Sequence, residues 1–160
     1  MAFVCDAHVH LYLGYDLVPA ARAASTRLDL LFREACGDLS AQPVRICCLA
    51  ERFDCHYFRD LREGRLSLNA AGAQCRPCAE DGGLCLTFAD GEQLILIAGR
   101  QINTVERLEV IALGASPEIA DHALSFGAAA AAIRDAGGIP VINWAPGKWF
   151  FSRGRLVRTR

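Results

Sequence analysis

The sequence contains little that would direct it to a membrane or to a polyanion. Its 160 residues carry 17 basic and 18 acidic side chains, so no basic excess is present to attract nucleic acid. No apolar stretch reaches the roughly 18 residues that a bilayer crossing needs. The start also lacks the basic and long apolar segments of a signal peptide. With 52% hydrophobic residues, the composition predicts one cytoplasmic globular domain that binds neither nucleic acid nor membranes.

A disulfide framework is not indicated either, although the chain has eight cysteines. Cys47, Cys48 and Cys85 lie in apolar runs, where free cysteine behaves as a small buried hydrophobic residue. Cys75 and Cys78 have the Cys-x-x-Cys spacing of a zinc or redox site, to which Cys85 would add a third thiolate. Because no second such pair completes four ligands, free thiols are the favoured interpretation.

The strongest signal lies in the first ten residues. A short apolar run leads directly into Asp6, His8 and His10, which are separated by single residues. Alternate side chains of a β-strand point to the same face, so these three are expected to converge where the strand ends. Two imidazoles and a carboxylate suit Zn²⁺, Mn²⁺ or Fe²⁺. The pattern predicts a divalent-metal site, and the alternative is two surface histidines after a strand.

Apolar spacing along the rest of the chain predicts strands that alternate with helices. Such alternation indicates an α/β fold with a mostly parallel sheet and ligands at the carboxyl ends of its strands. The Asp90-Gly91 turn between apolar runs predicts one hairpin, and the polar stretch 100–107 is interpreted as a loop or bend. The predicted elements are helices 17–35, ending at Gly37, and 116–137, capped by Ser116, with strands at 44–50, 84–88, 94–97, 108–113 and 139–143.

The segment Asp6-Ala7-His8-Val9-His10-Leu11 resembles the first metal motif of the polymerase and histidinol phosphatase (PHP) superfamily, and the amidohydrolases begin similarly. Residues 96–104 look like the second PHP motif and 137–144 like the third. The resemblance implies a distorted, TIM-like β/α barrel over residues 1–160, as a single domain. Fewer strands are predicted than the family has, so the barrel is expected to lack its C-terminal strands. Open sheet edges would then favour a homo-oligomer.

The same resemblance implies a metal-dependent hydrolase, of the phosphoesterase type, that acts on a phosphorylated small molecule. His8 and His10 would hold a divalent ion whose bound water is the nucleophile. Asp6 would be a ligand or would orient an imidazole. Glu106 or Glu51 would supply a further carboxylate ligand or a general base.

Further candidates lie at the other predicted strand ends. Arg52, Arg100 and Lys148 would bind phosphate oxygens. Gln101 stands where the family has a ligating glutamate, and Trp144 stands where it has a histidine and would form an aromatic wall over the substrate.

Two alternatives stay open. One is a catalytically degenerate domain that binds a metal or a small anion without turnover. The other is an amidohydrolase-type enzyme that cleaves C–N bonds, in which Lys148, the only lysine of the chain, would have to bridge the metals.

Overall fold

The structure is a computed structural model that describes residues 2–37, 42–79, 82–116, 118–120 and 122–143, together with residues 154 and 157. The described helices are α1 (Leu17–Cys36), α2 (Tyr57–Arg62) and α3 (Phe126–Asp135), with a 3₁₀ turn at Asn69–Ala71. The described strands are β1 (Phe3–Val9), β2 (Val44–Leu49), β3 (Ala73–Pro77), β4 (Gly83–Phe88), β5 (Gln93–Ile97), β6 (Gly99–Asn103), β7 (Glu109–Leu113) and β8 (Ile139–Ile142).

The described strands form two sheets. The larger sheet has the order β1-β2-β5-β4-β3, in which β1, β2 and β5 are parallel and β4 and β3 are antiparallel to their neighbours. The smaller sheet, β6-β7-β8, is antiparallel throughout. A single parallel bridge between Glu51 and Arg100 connects the end of β2 to β6.

The predicted TIM-like β/α barrel with mostly parallel strands is wrong, because the described strands close no barrel and four of their six pairings are antiparallel. The lengths of the connections explain three of these four antiparallel pairings, those of β3 with β4, β4 with β5 and β6 with β7. Segments 78–82, 89–92 and 104–108 join successive strands with only four or five residues. A parallel crossover needs a dozen or more residues, so strands joined this closely must run antiparallel.

Helix α1 and the Asp90-Gly91 hairpin confirm two of the sequence predictions. The helix runs from Leu17 to Cys36 and ends at Gly37, whose φ of 74° suits glycine. Its buried face includes Leu17, Ala21 and Leu28, which belong to the core that the larger sheet forms.

In the described residues, no helix has both the length and the apolar composition needed to cross a bilayer.

Ion pairs fix α1 against the larger sheet. Arg45 of β2 donates to both carboxylate oxygens of Asp29 in α1, at 2.6 and 2.8 Å, and its side chain is only 8% exposed. Arg22 donates to Glu92 beside the β4–β5 turn at 2.9 Å. Two N–H groups of one guanidinium that donate to the same carboxylate fix its orientation better than a single hydrogen bond does. Through Arg45 and Arg22, α1 is held to both β2 and the β4–β5 hairpin.

The last helix starts later than its sequence pattern predicts. Residues 118–120 and 122–124 are not helical, and α3 begins at Phe126. The Ser125 side chain accepts a hydrogen bond from the Ala128 N–H at 3.3 Å, so Ser125 is the N-cap. Ser116, the predicted cap, accepts instead from Arg100 Nε at 3.3 Å.

The two sheets meet at Gly99. A Cβ atom at this position would lie 1.9 Å from the Leu49 carbonyl oxygen, so only glycine fits. The Gly99 carbonyl in turn accepts a hydrogen bond from the Glu51 N–H at 3.1 Å. Residues 100–103 of the predicted loop 100–107 belong to strand β6, because the chain continues from β5 directly alongside the end of β2, and residues 104–107 remain a turn.

Candidate functional site

His8 and His10 lie side by side at the end of β1. Their Nε2 atoms are 2.9 Å apart, and their ring centroids are 4.7 Å apart with the planes tilted by 58°. Both residues follow the two-residue repeat of an extended chain, so their side chains lie on one face. The sequence therefore correctly predicted that these two imidazoles come together.

The two imidazole nitrogens lie near the spacing of two ligands on one metal ion. Imidazole nitrogens bind zinc at about 2.0 to 2.1 Å in tetrahedral geometry, so two of them on one ion stand about 3.3 Å apart. The observed 2.9 Å is about 0.4 Å shorter and is the length of an N–H···N hydrogen bond between the rings. The hydrogen bond needs one ring with an unprotonated Nε2, whereas a shared metal ion needs both rings to be neutral.

The surroundings of His10 favour its neutral form. Burial lowers the pKa of His10, and the neighbouring His8 ring lowers it further, whereas the Ala50 backbone and, to a smaller extent, the Glu109 carboxylate raise it. Neutral imidazole is the form that binds metals.

Asp6 does not join the two histidines. Asp6 lies opposite Cys47 and Val9 lies opposite Leu49, so three steps along β1 match two steps along β2. This bulge interrupts the alternation that the prediction assumed. The Asp6 carboxylate accepts from the His8 backbone N–H at 3.0 Å. Within the ranges that the structure describes, no group of three histidine, cysteine, aspartate or glutamate side chains is placed to hold a metal, so the predicted three-ligand site is not formed there.

Aromatic rings extend the site beyond His10. Tyr12 stacks on the His10 ring at 5.5 Å with an angle of 12°, and Tyr15 meets Tyr12 edge-on at 5.7 Å. The Arg52 guanidinium lies over Tyr12 at 5.9 Å and pairs with Asp54 at 2.9 Å. Because the Arg52 side chain is 47% exposed, its donors remain accessible to a ligand.

A polar cleft of about 260 Å³ opens next to these groups, lined by Arg52, Phe53, Gln101, Asn103 and Glu109. Glu109 begins β7 opposite Asn103, and its Oε2 accepts from the Asn143 side chain at 2.8 Å. Two of the lining residues, Arg52 and Gln101, were predicted to bind substrate, and the cleft brings them together.

Glu109 is the residue that sequence reasoning missed. Its carboxylate acts electrostatically on His10 and lines the cleft, although it is 99 positions away in the chain. One feature of the sequence could have indicated Glu109: it is a charged residue at the start of the strand that follows the segment resembling the second PHP motif. The β6–β7 pairing, which the predicted parallel sheet did not contain, carries it to the site.

Glu51 and Arg100 lie at the joint between the sheets and bind groups of the protein itself. Glu51 is 1% exposed, and its Oε1 accepts from the Phe58 N–H at the start of α2 at 2.9 Å. Burial raises the pKa of Glu51 to about 7, against the opposing effect of the Phe58 N–H and the Arg100 charge. Arg100 is 2% exposed and donates to the Arg52 carbonyl at 3.1 Å, with His56 Nδ1 3.2 Å away.

The remaining candidates lie elsewhere. Both carboxylate oxygens of Glu106 accept from the Phe126 N–H, at 3.2 and 2.9 Å, so Glu106 supports the start of α3. Trp144 and Lys148 lie outside the described residues. Cys75 and Cys78 are free thiols, and burial raises the pKa of Cys75 to about 11, which disfavours the thiolate that zinc needs.

The chain matches no protein-family model, and no curated protein or solved structure is significantly similar to it. The resemblance to the PHP superfamily therefore rests on the motif residues of the chain itself. Of these, His8 and His10 lie together, and Gln101 lines the neighbouring cleft.

Proposed function

We propose that this protein is a metal-dependent hydrolase that acts on a small phosphorylated molecule and binds one divalent ion, Zn, Mn or Fe, through His8 and His10. The observation that carries the proposal is the 2.9 Å separation of their Nε2 atoms at the end of a strand, beside a polar cleft. A bound ion supplies a water molecule whose pKa is lowered toward about 7 and which is therefore nucleophilic at neutral pH.

The residues around the cleft have complementary tasks in this proposal. Arg52, whose guanidinium is half exposed, binds phosphate oxygens. Gln101 and Asn103 present amide groups that hydrogen-bond to substrate hydroxyls. Glu109 keeps a negative charge close to His10 and is the carboxylate best placed to accept a proton.

A second candidate is a domain that binds a metal ion without turnover. It is favoured by the finding that the described residues bring no third histidine, cysteine or carboxylate to the imidazole pair. Two protein ligands leave most of an ion's positions to water, which weakens binding and makes loss of the ion easier.

Metal binding is tested by plasma mass spectrometry on protein purified without chelating resin. We expect about one equivalent of Zn, Mn or Fe in the native chain and less than a tenth of that in the His8→Ala/His10→Ala variant. His122→Asn is the matched control, because His122 has a φ of 58°, a conformation that asparagine tolerates. Absence of metal from the native chain, with none taken up on titration, contradicts both candidates.

Catalytic turnover distinguishes the metal-dependent hydrolase from a domain that only binds a metal ion. The metal-loaded protein is assayed for release of inorganic phosphate from small sugar phosphates, next to the metal-loaded Glu109→Gln variant. The hydrolase proposal expects release by the native chain and a loss of 100-fold or more in the variant, the usual scale for a proton-transfer group. Bound metal without phosphate release supports the second candidate instead.

A further inference from the structure

Cys5 and Cys48 form a thiol pair across two neighbouring strands. Their Sγ atoms are 3.7 Å apart, and both residues are free cysteines. Cys5 lies on β1, which is at the edge of the larger sheet, and it is exposed. Cys48 lies on β2 and is only 7% exposed. An accessible thiol is thus in contact with a sheltered one.

We propose that Cys5 and Cys48 are a peroxide-oxidised pair, which forms a reversible disulfide between β1 and β2. The contact between the sulfurs, the parallel pairing of the two strands and the difference in exposure carry this proposal. A disulfide needs its sulfurs at about 2.05 Å, so the 3.7 Å gap must close by about 1.7 Å. Cys48 lies two residues beyond Ile46, the strand partner of Cys5, so the backbones of β1 and β2 must also shift.

The exposure of the two thiols assigns their order of reaction. Cys5 is open to solvent and meets the oxidant first. Burial, together with the contact with Cys5, raises the pKa of Cys48 to about 12, so Cys48 stays a thiol and is protected from direct oxidation. Cys48 therefore serves as the resolving cysteine.

The reaction balances with hydrogen peroxide as the oxidant. The Cys5 sulfur attacks one peroxide oxygen, an S–O bond forms, the O–O bond breaks, and the leaving hydroxide takes the Cys5 thiol proton to become water. The Cys48 sulfur then attacks the Cys5 sulfenic acid, the S–S bond forms, the S–O bond breaks, and the hydroxide leaves as a second water with the Cys48 proton. The two sulfurs together lose two electrons, which reduce the peroxide.

Cys36, Cys47 and Cys75 do not offer the same combination. Cys36 is exposed at the end of α1, and Cys47 is 1% exposed and next to Cys48 in the chain. Cys75 is half-buried in β3, on the opposite edge of the larger sheet from Cys5. Cys36 therefore serves as a matched control for exposure alone.

The disulfide would attach the edge strand that carries the histidine pair to the strand beside it. Cys5 precedes His8 by three residues on the same strand. The cross-link requires no bound metal, so its formation is independent of the proposed hydrolase function.

The test treats the reduced, full-length protein with hydrogen peroxide, blocks the remaining thiols with iodoacetamide, and maps peptides without reduction. We expect a peptide pair joined through Cys5 and Cys48, no disulfide between separate chains, and two fewer alkylated thiols than the eight cysteines of the chain. Dithiothreitol should restore both thiols. The Cys36→Ser control should behave like the native chain.

Two variants keep the test decisive. Cys5→Ser changes an exposed residue and should abolish the cross-link while Cys48 remains a reduced thiol. Cys48→Ala preserves an apolar side chain at a buried position, and in it Cys5 should proceed to sulfinic acid or pair with another molecule. If Cys5 of the native chain is converted to sulfinic acid, or forms intermolecular disulfides while Cys48 stays reduced, the proposal is overturned.

Discussion

Glu51 carries an ionisable group into the protein interior, at 1% exposure. One N–H group at the start of α2 and the nearby Arg100 charge offset part of the loss of water. Burial is the larger effect and raises the pKa of this carboxyl to about 7, against an ordinary value of 4.5. The folded protein therefore binds this proton more tightly than the unfolded chain does.

The consequence is a pH dependence of stability. Between pH 4.5 and 7 the folded state holds the Glu51 proton while the unfolded state releases it, so the free energy of unfolding falls as pH rises. Replacement by Gln keeps the acceptor for the Phe58 N–H and removes the charge. We expect Glu51→Gln to be more stable than the native chain at pH 8, by up to about 3 kcal/mol, and equal to it near pH 4.5.

Urea unfolding at several pH values measures this difference. Glu34→Gln, at an exposed position of α1, is the control and should follow the native chain at every pH. Parallel stability profiles of Glu51→Gln and the native chain would show that Glu51 titrates normally in the folded protein.

Single residues also show where the alternation rule holds. The rule placed His8 and His10 together correctly, since only one residue separates them and the chain stays extended there. It failed for Asp6, because a register shift lies between Asp6 and Val9. No residue in the segment marks such a bulge, which arises from the pairing of β1 with β2.

At the scale of elements, α3 illustrates how a helix pattern extends beyond the helix. Ser116 and Pro117 are good starting residues, and apolar spacing continues through residue 133, yet the helix begins at Phe126. Its first N–H groups find partners in Ser125 and Glu106. Tertiary contacts that supply caps at one position outweigh an equally good local pattern upstream.

The position of this cap can be tested by substitution. Ser125→Ala removes the acceptor for the Ala128 N–H and should lower the free energy of unfolding by about 1 kcal/mol. Ser125→Gly should lose only a few tenths of a kcal/mol, because glycine is itself tolerated at this position. Chemical denaturation of both variants measures the difference. If Ser125→Ala is as stable as the native chain, Ser125 does not stabilise the start of α3.

At the scale of the whole molecule, Gly99 determines how the two sheets join. A methyl group at this position would lie 1.9 Å from the Leu49 oxygen and 3.0 Å from the Ala112 oxygen, both of which are backbone atoms. Backbone atoms in paired strands cannot move aside as the end of a flexible side chain can. The approach of β2 to β6 therefore depends on the missing side chain.

We expect Gly99→Ala to lower the free energy of unfolding by at least about 3 kcal/mol, since the added atom forces the strands apart. Gly114→Ala is the control: Gly114 has a φ of 82° but no atom within 4 Å of an added Cβ, so only backbone strain of about 1 to 2 kcal/mol applies. Thermal and urea unfolding compare the two. If both variants lose the same free energy of unfolding, the joining of the two sheets does not depend on the close contact between Gly99 and the Leu49 carbonyl oxygen.

The local features of this protein follow from short stretches of its amino-acid sequence. Apolar spacing and Gly37 defined α1, the Asp90-Gly91 turn defined the β4–β5 hairpin, and the two-residue repeat placed His8 beside His10. Each of these depends on residues close together in the chain, where propensity and periodicity act directly.

Strand direction, the two-sheet arrangement and the set of residues that line the cleft depend on contacts between distant parts of the chain. Short connections impose antiparallel pairing, and that pairing brings Glu109 to the charge environment of His10. The parallel bridge between Glu51 and Arg100 places these two residues at the joint between the sheets, where burial rather than residue type sets their environment. Such contacts join residues about 50 to 100 positions apart, and a local pattern carries no information about which of them pair.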